Sequence, residues 1–258
     1  MTLVSIVTPS LDQARYLREA IESVEAQTHP QIEHVVVDGG STDGTLDILR
    51  EHERVRWVSE PDRGQSDALN KGFALARGEV LGWLNADDAY LPGAVAEALA
   101  ALESTGAGLV YADVTRVDDD GVNPRRIRSR PTFDLWTEVN TGCGIYSPAV
   151  FFTREALEAA GPIDESLHLT MDYDLWLRIG KRFPVRHVDA VWGIQRLHGA
   201  AKTSTRDFWP ERLAVSRRHG GRLVSPLLIR KYVRSPRAQQ VANRGASGIY
   251  ALLGKRPR

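Results

Sequence analysis

The class of fold follows from residues 34–45, which read HVVVDGGSTDGT. The apolar run after His34 is continuous, as expected for a parallel strand that is covered on both faces. It stops at Asp38, and the small and polar residues through Gly44 are typical of a turn. A helix is predicted to follow over residues 45–52. The stretch therefore contains a strand, a loop and a helix in succession.

The same alternation continues on both sides of this stretch. Before it, residues 3–7 predict a strand, and apolar residues then recur at the spacing of one helix face: Leu17, Ala20, Ile21 and Val24. After it, strands are predicted at residues 55–58, 80–84 and 109–111, and helices at 65–77 and 92–103. Strands that alternate with helices of this length indicate an open, mostly parallel α/β sheet. In such sheets, ligands bind at the carboxyl ends of the strands.

The alternation becomes irregular after residue 110. Asp118–Gly121 predicts a hairpin turn between two strands, and residues 173–182 predict a helix. No internal repeat or low-complexity linker is visible. We therefore expect one domain over residues 1–205, with halves at 1–112 and 113–205, and a basic, partly helical extension over residues 206–258.

Composition excludes several classes of protein. The 258 residues include 33 Lys and Arg, 33 Asp and Glu, and 42% hydrophobic residues, which is enough for a sizeable core. The single cysteine, Cys143, allows neither an intrachain disulfide nor a multi-cysteine metal site. No apolar run approaches the roughly 18 residues that cross a bilayer, and the first ten residues lack the basic start of a signal peptide. We expect a soluble, cytoplasmic protein.

The charges are distributed unevenly along the chain. Residues 212–258 hold twelve Lys and Arg and no Asp or Glu, which leaves 21 basic and 33 acidic residues in 1–211. Such a tail is either a solvated arm or a contact for anionic lipid headgroups, aided by apolar clusters at 227–229 and 249–253. Nucleic acid is not expected as a partner, because the tail lacks a helix-turn-helix spacing, zinc ligands and a repeated aromatic pattern.

Carboxylates follow three consecutive predicted strands. Asp38 follows the second strand, Asp62 the third, and Asp87 with Asp88 the fourth. A single aspartate after a strand is usually a helix cap or a turn residue. Three of them on one sheet edge repel one another unless a cation or a hydrogen-bond donor lies among them. Paired carboxylates also suit Mg²⁺ or Mn²⁺ with substrate phosphates, so this edge is a candidate metal site.

The glycine-rich loop after Asp38 matches neither of the common phosphate-binding motifs. Gly39 and Gly44 have the spacing of a P-loop, but Thr45 stands where that loop requires lysine. The loop also lacks the G-x-G-x-x-G pattern, so a dinucleotide-binding Rossmann domain is a weak interpretation.

Four segments, taken in order, resemble the family 2 glycosyltransferases of the GT-A fold. They are residues 4–10, 36–44, 60–64 and 83–88, which read VSIVTPS, VVDGGSTDG, EPDRG and WLNADD. The resemblance covers roughly the first 200 residues, and the combination is specific although no single segment is. It implies a GT-A fold in which residues 1–112 bind a nucleotide-sugar and residues 113–205 bind the acceptor.

The resemblance also implies roles for individual residues in binding the donor. Asp88, the last of the paired aspartates, normally holds the metal, Mn²⁺ or Mg²⁺, and His198 is similar to a late histidine that completes this site in some GT-A enzymes. A lone histidine is otherwise more often a satisfied surface or core residue. The positions that resemble the nucleotide-sugar site are Thr8, Pro9, Ser10, Asp38, Asp62, Arg63 and Asp87.

Asp172 resembles the catalytic base of the family. Inverting transfer needs an acceptor hydroxyl that loses its proton as it attacks, and a carboxylate at the start of a helix can take that proton. The alternative role for Asp172 is a helix N-cap. The chain departs from the family pattern at two positions. Met171 stands where glutamate is frequent, so only Asp172 of that pair is preserved, and Ser147 stands where glutamine is frequent, which leaves acceptor contacts open.

These features together predict an inverting, metal-dependent glycosyltransferase that moves a sugar from a nucleoside-diphosphate donor, a UDP-sugar by preference, to a hydroxyl. The tail and the habits of the family suggest a lipid-linked or saccharide acceptor in envelope polysaccharide or glycolipid assembly, at the inner face of the cell membrane. Two alternatives are a retaining GT-A transferase and a non-catalytic, nucleotide-sugar-binding partner subunit. Nucleotidyl transfer is disfavoured because residues 8–12 contain no glycine-rich basic loop.

Overall fold

The structure is a computed structural model that describes residues 1–202 and 207–222. Its first half is a parallel sheet whose strands, in the spatial order β3-β2-β1-β4, alternate along the chain with helices. All strands and helices predicted for this half are present. The strands are β1 (Val4–Ser10), β2 (Ile32–Asp38), β3 (Val55–Ser59) and β4 (Val80–Trp83), and the helices are α1 (Ala14–Glu25), α2 (Thr45–Glu51) and α3 (Gln65–Leu75).

The second half extends the same sheet with strands of both directions. Its order continues from β4 through β8, β6 and β9 to β5, with β7 beside β6. Strand β8 is antiparallel to both neighbours, β6 and β9 are parallel, and β5 is antiparallel to β9. The elements are β5 (Ala89–Tyr90), α4 (Ala94–Thr105), β6 (Leu109–Val117), β7 (Arg125–Ile127), α5 (Leu135–Thr141), a 3₁₀ turn (Ser147–Ala149), β8 (Val150–Thr153), α6 (Arg154–Ala160), α7 (Met171–Gly180), β9 (Val185–Arg196) and α8 (Trp209–Arg218).

These elements confirm the α/β class and refine the predicted sheet. The parallel arrangement holds for the first four strands, whereas the second half makes the whole sheet mixed. The turn predicted at Asp118–Gly121 does connect two antiparallel strands, β6 and β7. The helix predicted over residues 173–182 begins two residues earlier, at Met171.

The core lies on both faces of the sheet, since the valine-rich strands are covered on each side. Val7, Val35 and Val37 pack on one face, and Val4 and Ile6 on the other. Helix α3 lies directly on β1, because a Cβ atom on Gly72 would come within 2.3 Å of the Val7 Cγ1 atom. A residue without a side chain is therefore required there. This close packing brings the start of α3 to the carboxyl edge of the sheet.

Helix α8 packs against the domain that precedes it. Val215 is fully buried in the same apolar cluster as Val139 and Trp176, and the Ser216 hydroxyl donates to the Val139 carbonyl at 2.8 Å. The domain boundary at residue 205 stays a prediction, but residues 207–222 share this core. The basic tail beyond them, with its predicted helical and lipid-binding character, lies outside the described residues.

Candidate functional site

A cavity of about 550 Å³ opens at the carboxyl edge of the sheet, where ligands bind in folds of this kind. Its walls come from segments far apart in the sequence. They are the end of β1, the loop and first turn of α3, the loop after β4, the segment leading into α7, and the segment that follows β9. The predicted site residues that line it are Pro9, Ser10, Asp62, Arg63, Asp87, Asp88, Asp172 and His198.

The end of β1 presents polar atoms that have no partner among the described residues. The Ser10 hydroxyl is buried and unpaired, and so is the side-chain oxygen of Gln13, which also lines the cavity. Buried polar atoms of this kind are uncommon unless a ligand or water completes them. Thr8, two residues before Ser10, is placed differently: its hydroxyl lies 2.9 Å from the His34 ring, inside the sheet and off the cavity wall.

Asp38 is also turned away from the cavity. Its carboxylate is fully buried and accepts hydrogen bonds from the backbone N–H groups of Gly40 and Ser41 and from the hydroxyls of Ser41 and Ser59. These bonds fix the loop that follows β2. The structure therefore gives Asp38 a role in shaping the loop, and direct contact with a nucleotide stays a prediction.

Asp62 lies on the cavity wall, next to that loop. Its Oδ1 atom accepts from the Gly64 N–H at 2.8 Å. A Cβ atom at Gly39 would come within 2.6 Å of its Oδ2 atom, so a side chain at this position would displace the Asp62 carboxylate. Arg63 lies at the rim and pairs with Asp67 at 2.9 Å and with Glu165 at 2.8 Å. The second of these pairs connects the loop before α3 to the segment between α6 and α7.

The two adjacent aspartates have different surroundings. Asp87 and His198 face each other in the cavity, with 2.9 Å between Asp87 Oδ2 and His198 Nε2. Asp88 lies behind them and is 5% exposed. Its Oδ1 atom accepts from the Arg196 N–H and its Oδ2 atom from the Asn85 amide, each at 3.1 Å. Burial, with the nearby charge of Asp87, raises the pKa of Asp88 well above its usual value.

The metal prediction named Asp88 and His198, whereas the structure brings Asp87 together with His198. No group of three or more possible ligands forms among residues 1–202 and 207–222. Two protein ligands nevertheless fit Mg²⁺ or Mn²⁺, which commonly take one or two carboxylates and complete their coordination with phosphate oxygens and water. The carboxylate is a suitable donor for either ion, whereas the imidazole nitrogen favours Mn²⁺ over the harder Mg²⁺.

Backbone pairing holds the two metal candidates in place. Strand β5 directly follows Asp88, and Ala89 and Tyr90 pair with Ile194 and Gly193 of β9. His198 lies just beyond the end of β9. The pairing of β5 with β9 therefore fixes the backbone next to both Asp87 and His198. The ring of Tyr16, from α1, packs against His198 with 4.9 Å between the ring centroids.

Asn85 connects several parts of the cavity wall, a role that the sequence analysis did not predict. Its side-chain oxygen accepts from the Trp83 indole and from the Gln65 amide, each at 2.8 Å, while its own amide donates to Asp88. The only signal was its position inside the WLNADD segment. Gln195 was also missed; it lines the cavity, and its oxygen accepts from Arg116 at 2.7 and 3.1 Å.

Asp172 lies in the first turn of α7 and contributes to the opposite wall of the cavity. Its Oδ1 atom accepts from the Tyr173 N–H at 2.7 Å. Burial raises the pKa of Asp172 to about 6, although that hydrogen bond and the charge of Arg212 act in the other direction. Thr170 occupies the N-cap position of α7, so Asp172 is not the helix cap that was the alternative. A partly desolvated carboxylate of this pKa is suited to accept a proton near neutral pH.

Sequence comparison identifies relatives of this chain. The family model named Glycosyl transferase family 2 matches residues 5–160. An uncharacterised glycosyltransferase of Rickettsia typhi is 32% identical over 79% of this chain, and the chondroitin synthase of Escherichia coli is 31% identical over 76% of it. The chain spans 66% of the length of the first relative and 29% of the second.

Structural comparison finds the same fold in solved glycosyltransferases. TarS of Staphylococcus aureus, solved as residues 1–349 with UDP-GlcNAc, has a TM-score of 0.69 and 18% identity, covering 91% of this chain and 67% of that one. A mannosyltransferase of Pyrobaculum calidifontis, solved with GDP-Man and Mn²⁺, has a TM-score of 0.61 and 19% identity, covering 96% and 81%. These likenesses confirm the GT-A fold.

Proposed function

We propose a function from the premise that this chain belongs to glycosyl transferase family 2 and is a glycosyltransferase. It moves a sugar from a UDP-sugar to a hydroxyl group of a saccharide or lipid-linked acceptor, with inversion at the anomeric carbon and with a bound divalent cation. One observation carries the proposal: a single cavity holds the Asp87–His198 pair together with Asp172, whose pKa is raised.

Asp172 acts as the general base. A carboxyl of pKa about 6 is mostly ionised at pH 7 and remains basic enough to accept a proton. The acceptor hydroxyl passes its proton to Asp172 while its oxygen forms a bond to the anomeric carbon. The bond between that carbon and the diphosphate oxygen breaks, and its electron pair leaves with the nucleoside diphosphate.

Asp87 and His198 are the residues that would hold the cation. Asp88 is assigned a supporting role, in contrast to its predicted role as ligand, because both of its oxygens already accept protein N–H groups. A divalent cation, when bound, offsets the negative charge that the departing diphosphate acquires. Asn85 and Arg196 keep Asp88 fixed, and Asp88 in turn fixes the backbone that carries Asp87.

Ser10, Gln13 and Asp62 are assigned to the donor. Ser10 and Gln13 each offer a buried polar atom without a partner among the described residues, and Asp62 stands beside them on the cavity wall. A nucleotide carries hydroxyl, amide and ring-nitrogen groups that would complete such atoms. The two structural neighbours are solved with UDP-GlcNAc and GDP-Man, so UDP and GDP are the first nucleotides to compare.

A thermal-shift panel tests the donor assignment. UDP, GDP, dTDP and CMP are each added with Mn²⁺, Mg²⁺ or EDTA, since a ligand that binds the folded state raises the melting temperature. We expect UDP to stabilise the protein in the presence of a metal and to lose most of that effect in EDTA. Stabilisation by none of the nucleotides would contradict the assignment of the cavity to a nucleotide-sugar.

The retaining alternative is decided by the product. Once a donor and an acceptor are identified, the anomeric configuration of the new linkage, read by NMR, distinguishes inversion from retention. The partner-subunit alternative is tested with purified protein, because a chain that binds the donor and shows no turnover with any acceptor would support it.

The basic tail and the relatives of this chain support a proposal for the acceptor and for the cellular location of the protein. Chondroitin synthase is a relative of this chain, and a polysaccharide or glycolipid acceptor in the cell envelope is consistent with it. None of the helices within the described ranges has both the length and the apolar character needed to span a bilayer. We assign the protein to the cytoplasmic face of the membrane, held there by the basic tail; unchanged binding to anionic vesicles after deletion of residues 225–258 would contradict this.

A further inference from the structure

The segment that leads into α7 contributes to the cavity and lies next to Asp172. His168 and Leu169 line the cavity, and Thr170 is the N-cap residue of the helix. The Thr170 side chain makes no capping hydrogen bond within its own helix. The contacts that hold this segment come from another element, and they reach the N–H groups of His168 and Leu169, which precede the helix.

Glu211 of α8 supplies an acceptor from a distant part of the chain. Its Oε2 atom accepts from the Leu169 N–H at 2.8 Å and from the Thr170 hydroxyl at 3.3 Å, and the His168 N–H lies 3.1 Å from the same atom. Three donors of one short segment thus converge on one carboxylate oxygen, 42 positions along from Leu169. Hydrogen bonds to a charged acceptor are the stronger kind.

Helix α8 also fixes the first turn of α7 on the other side of Asp172. Asp174 is 1% exposed and lies 2.9 Å from the Nε2 atom of His219, which directly follows α8. Its second oxygen accepts from Arg178 at 2.7 Å. Asp172 lies between residues 168–170, which Glu211 holds, and Asp174, which His219 holds. The backbone on both sides of Asp172 therefore depends on α8 for its placement.

We infer that Glu211 is a positioning residue for the transfer reaction, which it serves by holding residues 168–170 so that Asp172 stays aimed into the cavity. This inference rests on the proposed function, since it takes Asp172 as the base. It also assigns a part of the machinery to residues beyond 160, where the match to the family model ends.

The test compares E211A and E211Q with wild type and with E158A. Glu158 is an exposed glutamate on α6, so E158A removes the same charge from the surface as a control. Small displacements of a catalytic group can cost about 100-fold in rate, so we expect E211A to lower kcat at least about tenfold. The Kd for UDP with metal should stay within about twofold, because the donor contacts lie on the other wall.

E211Q keeps one oxygen that can accept from Leu169, so its kcat should lie between those of wild type and E211A, while E158A should match wild type. A role in stability alone would lower the melting temperature of E211A and leave the kcat of the folded fraction unchanged. That outcome would overturn the inference, and so would a loss of UDP binding equal to the loss of kcat.

Amide hydrogen exchange provides a second readout that does not depend on turnover. In E211A the amides of His168 and Leu169 should exchange at least about tenfold faster than in wild type, and unchanged exchange would overturn the inference. The two proposals fail differently. If wild type transfers sugar and the kcat of E211A equals that of wild type, only the positioning role is wrong. If wild type transfers sugar from none of the nucleotide-sugars, the proposed function is wrong, and so is the inference that rests on it.

Discussion

The wall of the cavity assigned to the donor, which includes Asp62 and Asp88, and the wall assigned to the base, residues 168–172, are built in different ways. On the donor wall, Asp62 accepts from Gly64 and Asp88 from Asn85, and Asp88 also accepts from Arg196 at the end of β9. On the base wall, Leu169 is held by Glu211, 42 positions away, and Asp174 by His219, 45 positions away. The donor wall therefore combines local loops with the pairing of β5 and β9, whereas the base wall requires α8 to be docked. Changes on the two walls should consequently separate binding from turnover.

The largest effect is expected from Asp172. D172N keeps the shape of the side chain and removes its basicity, so kcat should fall by about 100-fold or more, as for the loss of a general base. UDP binding with metal should be unchanged, because Asp172 lies on the base wall. Steady-state kinetics and a nucleotide titration measure the two quantities. A parallel loss of UDP affinity would show that the two walls are not separable.

The next effect concerns the two neighbouring aspartates. D87N should abolish the metal-dependent part of the UDP-induced rise in melting temperature, because Asp87 faces His198 in the cavity. D88N should retain most of that part, since Asp88 is buried behind the pair. The thermal-shift panel with Mn²⁺ and with EDTA measures both variants. The reverse order would restore Asp88 as the metal ligand.

The pH dependence of wild type gives a smaller and graded effect. Burial raises the pKa of Asp172 to about 6, and only the ionised carboxylate can accept a proton. We therefore expect kcat/KM to be constant above that pH and to fall about tenfold for each unit below it. A pH–rate profile from pH 4.5 to 8 measures this. If kcat/KM fell only near pH 4, the prediction that burial raises the pKa of Asp172 would be wrong.

The smallest effect concerns the attachment of α8. V215A removes two buried methyl groups from the core shared with α5 and α7, and should lower the free energy of unfolding by about 1–3 kcal/mol. Chemical denaturation measures the change, and A214S, at an exposed position of the same helix, is the control. Equal stability of V215A and wild type would indicate that α8 is not a part of this core in solution.

The same contrast explains what the sequence revealed of the fold. Strands β1 to β4 are short segments rich in apolar residues and bounded by turn residues, so local pattern was sufficient to predict them. Strand β5 has only two residues, and its existence depends on pairing with Gly193 and Ile194, about a hundred positions away. Strand β9 was missed because its twelve residues mix buried, half-buried and exposed positions with neither a regular alternation nor a clear apolar run.

The site shows a similar division between local and distant information. The strand-end position predicted that Asp62 and Asp87 face one cavity, but the same argument also placed Asp38 there, and hydrogen bonds to its own loop turn that carboxylate away. Nothing in the sequence distinguishes Asp87 from Asp88, because only burial by Arg196 and Asn85 separates them. Glu211 could not be predicted, since the contact that gives it a role arises only when α8 folds back on residues 168–170.

The pairing of β5 with β9 also has a consequence for how this enzyme can diversify. Backbone hydrogen bonds do not depend on side-chain identity. Substitutions along β9 should therefore leave the distance between Asp87 and His198 unchanged. Gln195 follows Ile194 of this ladder, pairs with Arg116 of β6 on the other side of β9, and lines the cavity. Its codon can therefore drift, in nature or in a mutant library, and reshape the cavity while the distance between Asp87 and His198 is inherited unchanged.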